Sequence, residues 1–359
     1  MNTVVRPLVL ATFAFLMAPV CARAQEPAKK STGVTKEERI AVIKRAQVWS
    51  LTPVSAMDIR RGPESPKAFA PGELVPCEYV EKKMAGNSPK FTCRLADGDE
   101  VKVKFGKTNG EVYAEVAATR LLWALGFGAD RMYPVRIECH GCPPDFKGAA
   151  QPNAKPVIVE PASIERKLPG KAIETHEDSG WAWPELKLVD EAVGGAPRSQ
   201  VDALRLLASL LQHTDSKPAQ QRILCVSYDK KADDDLAACK EPLLMLNDVG
   251  LTFGHANTFN RNGPGSTNFE EWSKTPVWTG TTGCVGNISK SMTGTLENPV
   301  IGEAGRAFLA GLLNQLTDAQ LHDLFDVARF SMRSNHTTDE WVAAFVHKRD
   351  EVANRTCAK

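Results

Sequence analysis

Apolar and polar residues follow two different periods in separate parts of this chain. Between residues 101 and 105, apolar residues alternate with Lys102 and Lys104, which is the two-residue period of a strand with one buried face. Two further strand-like runs, 75–83 and 90–95, precede it and are separated by turn residues. The pattern therefore predicts three consecutive strands, with both lysines on the same face of the third.

Helical spacing follows at once and dominates the second half. Apolar residues recur every three to four positions over 111–125, where Gly126 is a stop signal, and again over 199–211. The chain from about residue 302 onward is helical in pattern, with two capping boxes. Further strands are predicted over 131–138, 157–159, 223–226 and 243–246. The predicted class is α+β, with a strand-rich and a mainly helical lobe around a cleft.

The N-terminal residues have the pattern of an export signal. Arg6 precedes an apolar stretch over residues 8–20, and Ala22-Arg23-Ala24 is a small-x-small cleavage sequence. A lipoprotein signal would use Cys21 instead, but the residue next to that cysteine is not small. We expect cleavage after Ala24 and a protein exported to the periplasm or the extracellular space.

The predicted domain order follows from these patterns. Residues 25–72 are expected to hold a polar linker and an N-terminal helix over 35–48. The strand-rich lobe is expected over 73–160 and the helical lobe over 161–359.

Composition excludes two classes of partner. The chain has 44 Lys and Arg against 43 Asp and Glu, and loss of the leader would leave one net negative charge. Such a balance gives no electrostatic case for binding nucleic acid. Beyond the leader, no apolar run approaches the roughly 18 residues that a membrane span needs. The sequence does not determine the oligomeric state.

Eight cysteines remain after the leader, an even number that suits an oxidising compartment. Pairing in neighbour order is the simplest expectation: Cys77–Cys93, Cys139–Cys142, Cys225–Cys239 and Cys284–Cys357. The spacing of Cys139 and Cys142 also permits thiol-disulfide exchange. A zinc site there would need two more ligands, and the candidates are scattered: His176, His213 and His255.

Three stretches, in sequence order, supply what phosphoryl transfer requires. That reaction needs a cation on the phosphates, a carboxylate near the attacking hydroxyl, and ligands for Mg²⁺. Lys104 lies on a strand followed by a helix that carries Glu115, and we expect the two to form an ion pair. Glu111, one turn earlier on the same helix face, is the fallback partner.

The second stretch is His213-Thr214-Asp215-Ser216-Lys217-Pro218-Ala219-Gln220. Asp215 would lie beside the acceptor hydroxyl, and Lys217 could neutralise the transferred phosphoryl group. Gln220 could offer a carbonyl oxygen to Mg²⁺, which prefers oxygen ligands. The third stretch begins at Asp248, a carboxylate after a buried strand, and Gly250 permits a sharp turn behind it.

These stretches resemble the atypical kinases of the secretory pathway, of the Golgi casein kinase type, and more distantly the HipA-type bacterial kinases. The 213–220 stretch is similar to the kinase loop H-R-D-L-K-P-E-N, and Asp248-x-Gly-x-x-Phe253-Gly254 is similar to the family's Asp-Asn-Gly-x-x-Phe-Gly. Three shorter similarities lie at 113–117, 125–127 and 133–135. The resemblance covers roughly residues 77–138 and 205–254.

The resemblance implies a two-lobed kinase-like fold that binds ATP or another nucleotide with Mg²⁺ or Mn²⁺ and transfers a phosphoryl group to a hydroxyl acceptor. Lys104 and Glu115 would bind the nucleotide, Asp215 and Lys217 would act in catalysis, and Asp248 and Gln220 would bind the metal.

The chain departs from the family at three places: Gln220 replaces Asn or Glu, Thr214 replaces Arg, and the turn over 85–89 has one glycine. A catalytically inactive, kinase-shaped binding protein is therefore the alternative, and thiol-disulfide exchange at Cys139 and Cys142 is the less favoured one. A serine hydrolase is disfavoured because no Gly-x-Ser-x-Gly sequence occurs.

Overall fold

Five strands in the first half of the chain close into a barrel in the computed structural model of the protein. They are β1 (Leu74–Val80), β2 (Lys90–Arg94), β3 (Glu100–Phe105), β4 (Arg131–His140) and β5 (Val157–Arg166). Their order around the barrel is β1-β2-β3-β5-β4, and a parallel pairing of β1 with β4 closes it. Closure leaves no unpaired strand edge in the barrel.

The structure describes residues 33–84, 86–228, 235–254 and 266–357. The predicted export signal over 1–24, its alternative at Cys21, the linker up to residue 32, and His255 lie outside the described residues, as does Ala85 in the β1–β2 turn. From Gly33 onward the chain forms one compact unit. The division into two lobes stays a prediction, and β5 runs through residue 160, where the sequence places the boundary between them.

Alternating side chains fill the barrel. Val101 and Val103 of β3 point inward and are buried with Tyr133 and Ile137 of β4. Because successive side chains on a strand point to opposite faces, Lys104 is on the other side of the barrel wall. Lys104 is nevertheless only 1% exposed, since the helix that follows β3 covers it.

That helix, α2 (Glu111–Ala124), is buried almost all round, as expected for a helix with protein on every side. It packs against β4 and β5 on one side and against a helix of the second half on the other. Gly126 ends it with a φ of +85°, and a Cβ there would lie 2.1 Å from the carbonyl oxygen of Ser50. Only glycine fits this position.

The second half combines helices with a small antiparallel sheet. The sheet has the order β6 (Lys171–Ala172), β7 (Gln221–Cys225) and β8 (Pro242–Leu246). The helices are α3 (Arg198–Leu211), α4 (Phe269–Lys274), α5 (Glu303–Leu313), α6 (Asp318–Val327), α7 (Phe330–Arg333) and α8 (Thr338–Ala353). The N-terminal helix α1 (Lys36–Lys44) packs beside β8. Both predicted capping boxes are present, at Thr317 and Thr337, and a third begins α1 at Thr35.

The eight cysteines of the described region pair in the predicted neighbour order. Their Cα–Cα distances run from 5.4 to 5.9 Å, within the range of disulfides. Cys77–Cys93 and Cys139–Cys142 lie at the barrel, where β1 pairs with both β2 and β4. Among the helices described here, none is long and apolar enough to cross a bilayer.

Candidate functional site

Lys104 is the centre of a cluster of acidic side chains beneath the barrel wall. Its Nζ donates to Glu115 Oε1 and to Glu111 Oε2, each at 2.6 Å, and lies 3.7 Å from Asp248 Oδ2. Lys104 and Glu115 have side chains 1% and 3% exposed, so the contact is shielded from water. The predicted ion pair is present, and the fallback partner Glu111 takes part as well.

The connection between β3 and α2 produces this arrangement. Asn109 donates from Nδ2 to the carbonyl oxygens of Phe105 and Pro89, which ties the loop to the ends of β3 and β2. The first turn of α2 is thereby held over the end of β3. Glu111 and Glu115 are four residues apart and lie on one helix face, so both reach the same ammonium group.

Asp248 comes from a third element, the turn after β8. Its Oδ1 accepts a hydrogen bond from the backbone N–H of Gly250 at 3.1 Å, which fixes the side chain. A Cβ on Gly250 would lie 2.8 Å from Glu111 Cγ, so the absence of a side chain lets this turn approach α2 closely. The three carboxylates therefore meet because β3, α2 and the β8 turn converge.

Burial and charge push the carboxyl pKa values apart. Burial raises the pKa of Glu115 well above its ordinary value, although Lys104 opposes this. Burial would also raise the pKa of Asp248, but Lys104 holds it well below its ordinary range. For Lys104, burial would lower the pKa, and Glu115, Asp248 and Glu111 together raise it well above its ordinary value. The ammonium is thus charged at any physiological pH.

The second predicted stretch forms a loop after α3. Asp215 Oδ2 accepts hydrogen bonds from Lys217 Nζ at 2.8 Å and from Gln220 Nε2 at 2.7 Å. All three predicted side chains are therefore in one cluster. The Asp215 side chain is 17% exposed and that of Lys217 is 39% exposed, so this cluster reaches the surface.

Backbone hydrogen bonds join the loop to the Asp248 turn. The carbonyl oxygen of Gln220 accepts from the N–H groups of Asn247 at 2.8 Å and Asp248 at 3.2 Å. Thr214 N–H donates to the carbonyl oxygen of Leu251 at 3.3 Å. The two stretches, which are 33 residues apart between Asp215 and Asp248, are thus held as neighbours.

His213 is buried behind both stretches. Burial lowers the pKa of its imidazole to about 4, against weaker opposing effects of Asp248 and Asp215. The side-chain amide of Gln221 lies 3.2 Å from its Nε2, and Trp183 contacts its ring. The lowered pKa favours a neutral, buried imidazole behind the loop.

The carboxylates suit a divalent cation. One oxygen from each of Glu111, Glu115 and Asp248 lies within 4.8 Å of the others, and Glu115 Oε2 has no hydrogen-bond partner among the described residues. Carboxylate oxygens are the ligands that Mg²⁺ and Mn²⁺ prefer. The predicted ligand Gln220 adjoins Asp248 through its backbone, but its amide nitrogen is bonded to Asp215. Its role at the metal stays a prediction.

Cys139 and Cys142 are 0% and 4% exposed and bonded to each other. Exchange with another protein would need an accessible sulfur atom, so the geometry favours a structural role for this pair.

Two features of the site are visible only in the folded chain. The sequence indicates Glu111 only as a substitute for Glu115, yet both bind Lys104. It does not single out Lys90, although this residue lies opposite Lys104 in the β2–β3 register. Its place opposite Lys104 follows only from the β2–β3 register, which the length of the turn between these strands sets.

Comparison of the sequence with models of protein families and with curated proteins finds no match. Among solved structures, the chain is similar to CtkA, described as a proinflammatory kinase of Helicobacter pylori, at a TM-score of 0.43 and 10% sequence identity. The similarity covers 77% of this chain and 95% of that one. At this TM-score the similarity carries no argument about what the chain does.

Proposed function

We propose that this chain is an atypical kinase that transfers a phosphoryl group from a metal-bound nucleoside triphosphate to a hydroxyl acceptor. The observation that carries the proposal is the convergence at Lys104. A strand lysine contacts a helix glutamate at 2.6 Å and lies 3.7 Å from a carboxylate that follows a buried strand. These three groups, from three elements, are the parts that bind phosphates and metal in phosphotransferases.

Asp248 would hold Mg²⁺ or Mn²⁺, with Glu111 as the neighbouring carboxylate and Gln220 as a further candidate ligand. When bound, the cation would neutralise charge on the transferring phosphoryl group. Asp248 is suited to this role because Lys104 keeps its pKa low, so the carboxylate is ionised at neutral pH. Lys104 and Glu115 would fix the position of the nucleotide phosphates.

Asp215 would accept the hydroxyl proton or orient the hydroxyl of the acceptor. Its Oδ2 is held by Lys217 and Gln220, which leaves Oδ1 for the acceptor. Lys217, more than a third exposed, could contact the transferred phosphoryl group after rotating away from Asp215. The site therefore has a place for each group that the reaction needs.

The wider proposal is a two-lobed, kinase-like fold in an exported protein, with export to the periplasm or the extracellular space. Four cysteine pairs at bonding distance support an oxidising compartment.

The decisive experiment compares two labels and two variants. Purified protein is incubated with Mn²⁺ and ATP labelled either at the γ or at the α position, and transfer of only the γ label is expected. Asp248→Ala should abolish the nucleotide-dependent thermal shift, because the triphosphate loses its metal anchor. Asp215→Ala should keep the shift and lower turnover by roughly 10²-fold or more.

Asp97→Ala, in the exposed turn between β2 and β3, is the matched control and should behave as wild type. If wild type shows no thermal shift with ATP and either metal, the proposal is wrong. Transfer of the α label would show nucleotidyl transfer instead.

A catalytically inactive binding protein is the second candidate. It is favoured by the hydrogen bonds already made by the reactive groups, since Lys104 is bonded to two glutamates and Asp215 to Lys217 and Gln220. Nucleotide binding with Mn²⁺ in wild type, without transfer of either label to any acceptor, would identify it.

A further inference from the structure

Lys104 cannot neutralise a polyphosphate by itself. Its ammonium group has three N–H bonds, and two of them are directed at Glu111 and Glu115 at 2.6 Å. Asp248 adds a third carboxylate at 3.7 Å. One positive charge is thus shared among three acidic side chains, and a bound nucleotide would bring several more negative charges. In addition to the proposed metal ion, a further cation beside Lys104 would stabilise the bound triphosphate.

Lys90 is in the place where that cation would be needed. It is the first residue of β2 and lies directly opposite Lys104 on β3. Residues opposite each other in antiparallel strands have side chains on the same face, about 5 Å apart at Cβ. Ser88 connects the two, because its hydroxyl donates to Glu111 Oε2 at 3.0 Å and accepts from Lys90 Nζ at 3.4 Å.

Lys90 also differs from two neighbouring lysines in its lack of an acidic partner. Lys102 is paired with Glu165, and Lys82 with Glu100. Over the ranges that the structure describes, no carboxylate lies within ion-pair distance of Lys90. Burial and the nearby Lys104 lower the pKa of Lys90, so an anion bound there would stabilise its charged form.

A cavity of about 810 Å³ opens next to Lys90. It lies between the residues around the β1–β2 turn and the segment 144–148. Its wall carries more basic than acidic side chains: Lys82, Lys83, Lys90 and Lys147 against Glu81 and Asp145. Phe105 and Phe146 supply an apolar side, with ring centroids 4.6 Å apart. The cavity is thus cationic, and it adjoins the Lys104 cluster through Lys90 and Ser88.

We propose that Lys90 is a second phosphate-binding residue, which holds the terminal phosphates of a nucleoside triphosphate at the mouth of this cavity. The inference rests on the proposed function and deepens it. A turn rich in glycine could bind phosphates through backbone N–H groups, but residues 85–89 contain one glycine. A side-chain ammonium group from the adjoining strand takes over that task here.

The test measures the affinity of the full-length protein for ATP and for AMP, each with Mn²⁺, by titration calorimetry. Lys90→Met should weaken ATP binding by about 10- to 100-fold, the usual size of a charge-assisted contact. AMP binding should change by less than about twofold, because AMP lacks the terminal phosphates. Lys90→Arg keeps the charge and should stay within about threefold of wild type for ATP.

Lys82→Met is the matched control, since Lys82 lines the same cavity but is paired with Glu100 at 3.6 Å. It should bind ATP as wild type does. If Lys90→Met does not fold, judged by its thermal unfolding without ligand, Lys90→Gln takes its place in the same titrations.

Two outcomes would overturn the inference while leaving the proposed function intact. One is wild-type ATP affinity in Lys90→Met together with lost binding in Asp248→Ala. The other is an equal loss of ATP and AMP affinity in Lys90→Met. If wild type binds neither nucleotide, the proposed function and this inference fail together.

Discussion

Replacing Lys104 by methionine removes the cation that contacts three acidic side chains, while keeping most of the side-chain volume. Lys104 is 1% exposed, and the carboxylate oxygens of Glu111, Glu115 and Asp248 lie within 4.8 Å of one another. Two unit charges at that distance repel by about 3.5 kcal/mol at an effective dielectric constant of about 20. The variant can relieve this repulsion by taking up a proton.

Proton uptake sets the size of the effect and its dependence on pH. Protonating one glutamate at pH 7 costs about 3.7 kcal/mol, and this falls by about 1.4 kcal/mol for each pH unit below that. We therefore expect a loss of about 3 to 5 kcal/mol at pH 7, the usual range for breaking a buried ion pair from one side. At pH 5 the loss should be smaller by about 2.7 kcal/mol for one proton taken up.

The pKa directions in the wild type determine whether stability rises or falls with pH. The raised pKa of Lys104 means that its stabilising effect is complete below about pH 10.5. Asp248 has a lowered pKa, so its contribution is present above its unfolded value near 3.8 and is lost as the pH falls through the lower folded value. In the variant, burial acts on Glu115 and Asp248 without the opposing ammonium and raises their pKa values, so the variant's stability decreases as the pH rises.

Urea unfolding at pH 5, 6 and 7, followed by the fluorescence of the seven tryptophans, measures the difference. Lys82→Met, which removes an exposed ion pair with Glu100, should unfold close to the wild-type urea midpoint at every pH. A loss below about 1 kcal/mol for Lys104→Met, or one that does not change with pH, would contradict the burial of this cluster.

Three further outcomes are expected. Wild type should lose about 3 kcal/mol of stability between pH 6.5 and 4, because burial lowers the pKa of His213 to about 4 and the unfolded chain binds a proton on this imidazole at higher pH than the folded chain does. If His213 is responsible, the stability of His213→Gln should change less over this pH range. Gly180→Ala should lose about 2 kcal/mol or more in urea unfolding, because the φ of residue 180 is +72° and the new Cβ would lie 2.0 Å from the carbonyl oxygen of Pro218. An unchanged urea midpoint would contradict this. Replacing Cys284 and Cys357 together by serine should lower stability by about 4 kcal/mol, since their bond closes a loop with a sequence separation of 73; a loss under about 1 kcal/mol would contradict the pairing.

Local patterns in the sequence are sufficient for most of the helices and strands. The alternation over 101–105 corresponds to β3, and the helical spacing over 111–125 corresponds to α2. The short elements β6 and α4 are not predicted, and β5 differs in length, since the sequence predicts a strand of three residues and the strand has ten. Its later residues, from Glu160 to Arg166, include a proline and several charged side chains, so local propensity does not indicate that pairing with β3 and β4 extends the strand.

The candidate site is predictable where its residues are close in sequence or carry a recognisable spacing. Lys104 and Glu115 follow from a strand and the next helix, and Asp215, Lys217 and Gln220 share one loop. Lys90 does not follow, because its importance depends on the register of a hairpin whose turn length must be known first.

The sequence by itself determined which residues can form strands and helices and which side chains carry suitable chemistry. These depend on interactions between residues a few positions apart. Tertiary structure alone decided that the barrel closes through β1 and β4, that Lys104 is buried, and that Asp248 reaches it from 144 residues away in sequence. Burial and long-range contact set the charges and pKa values of the site, and no local pattern encodes them.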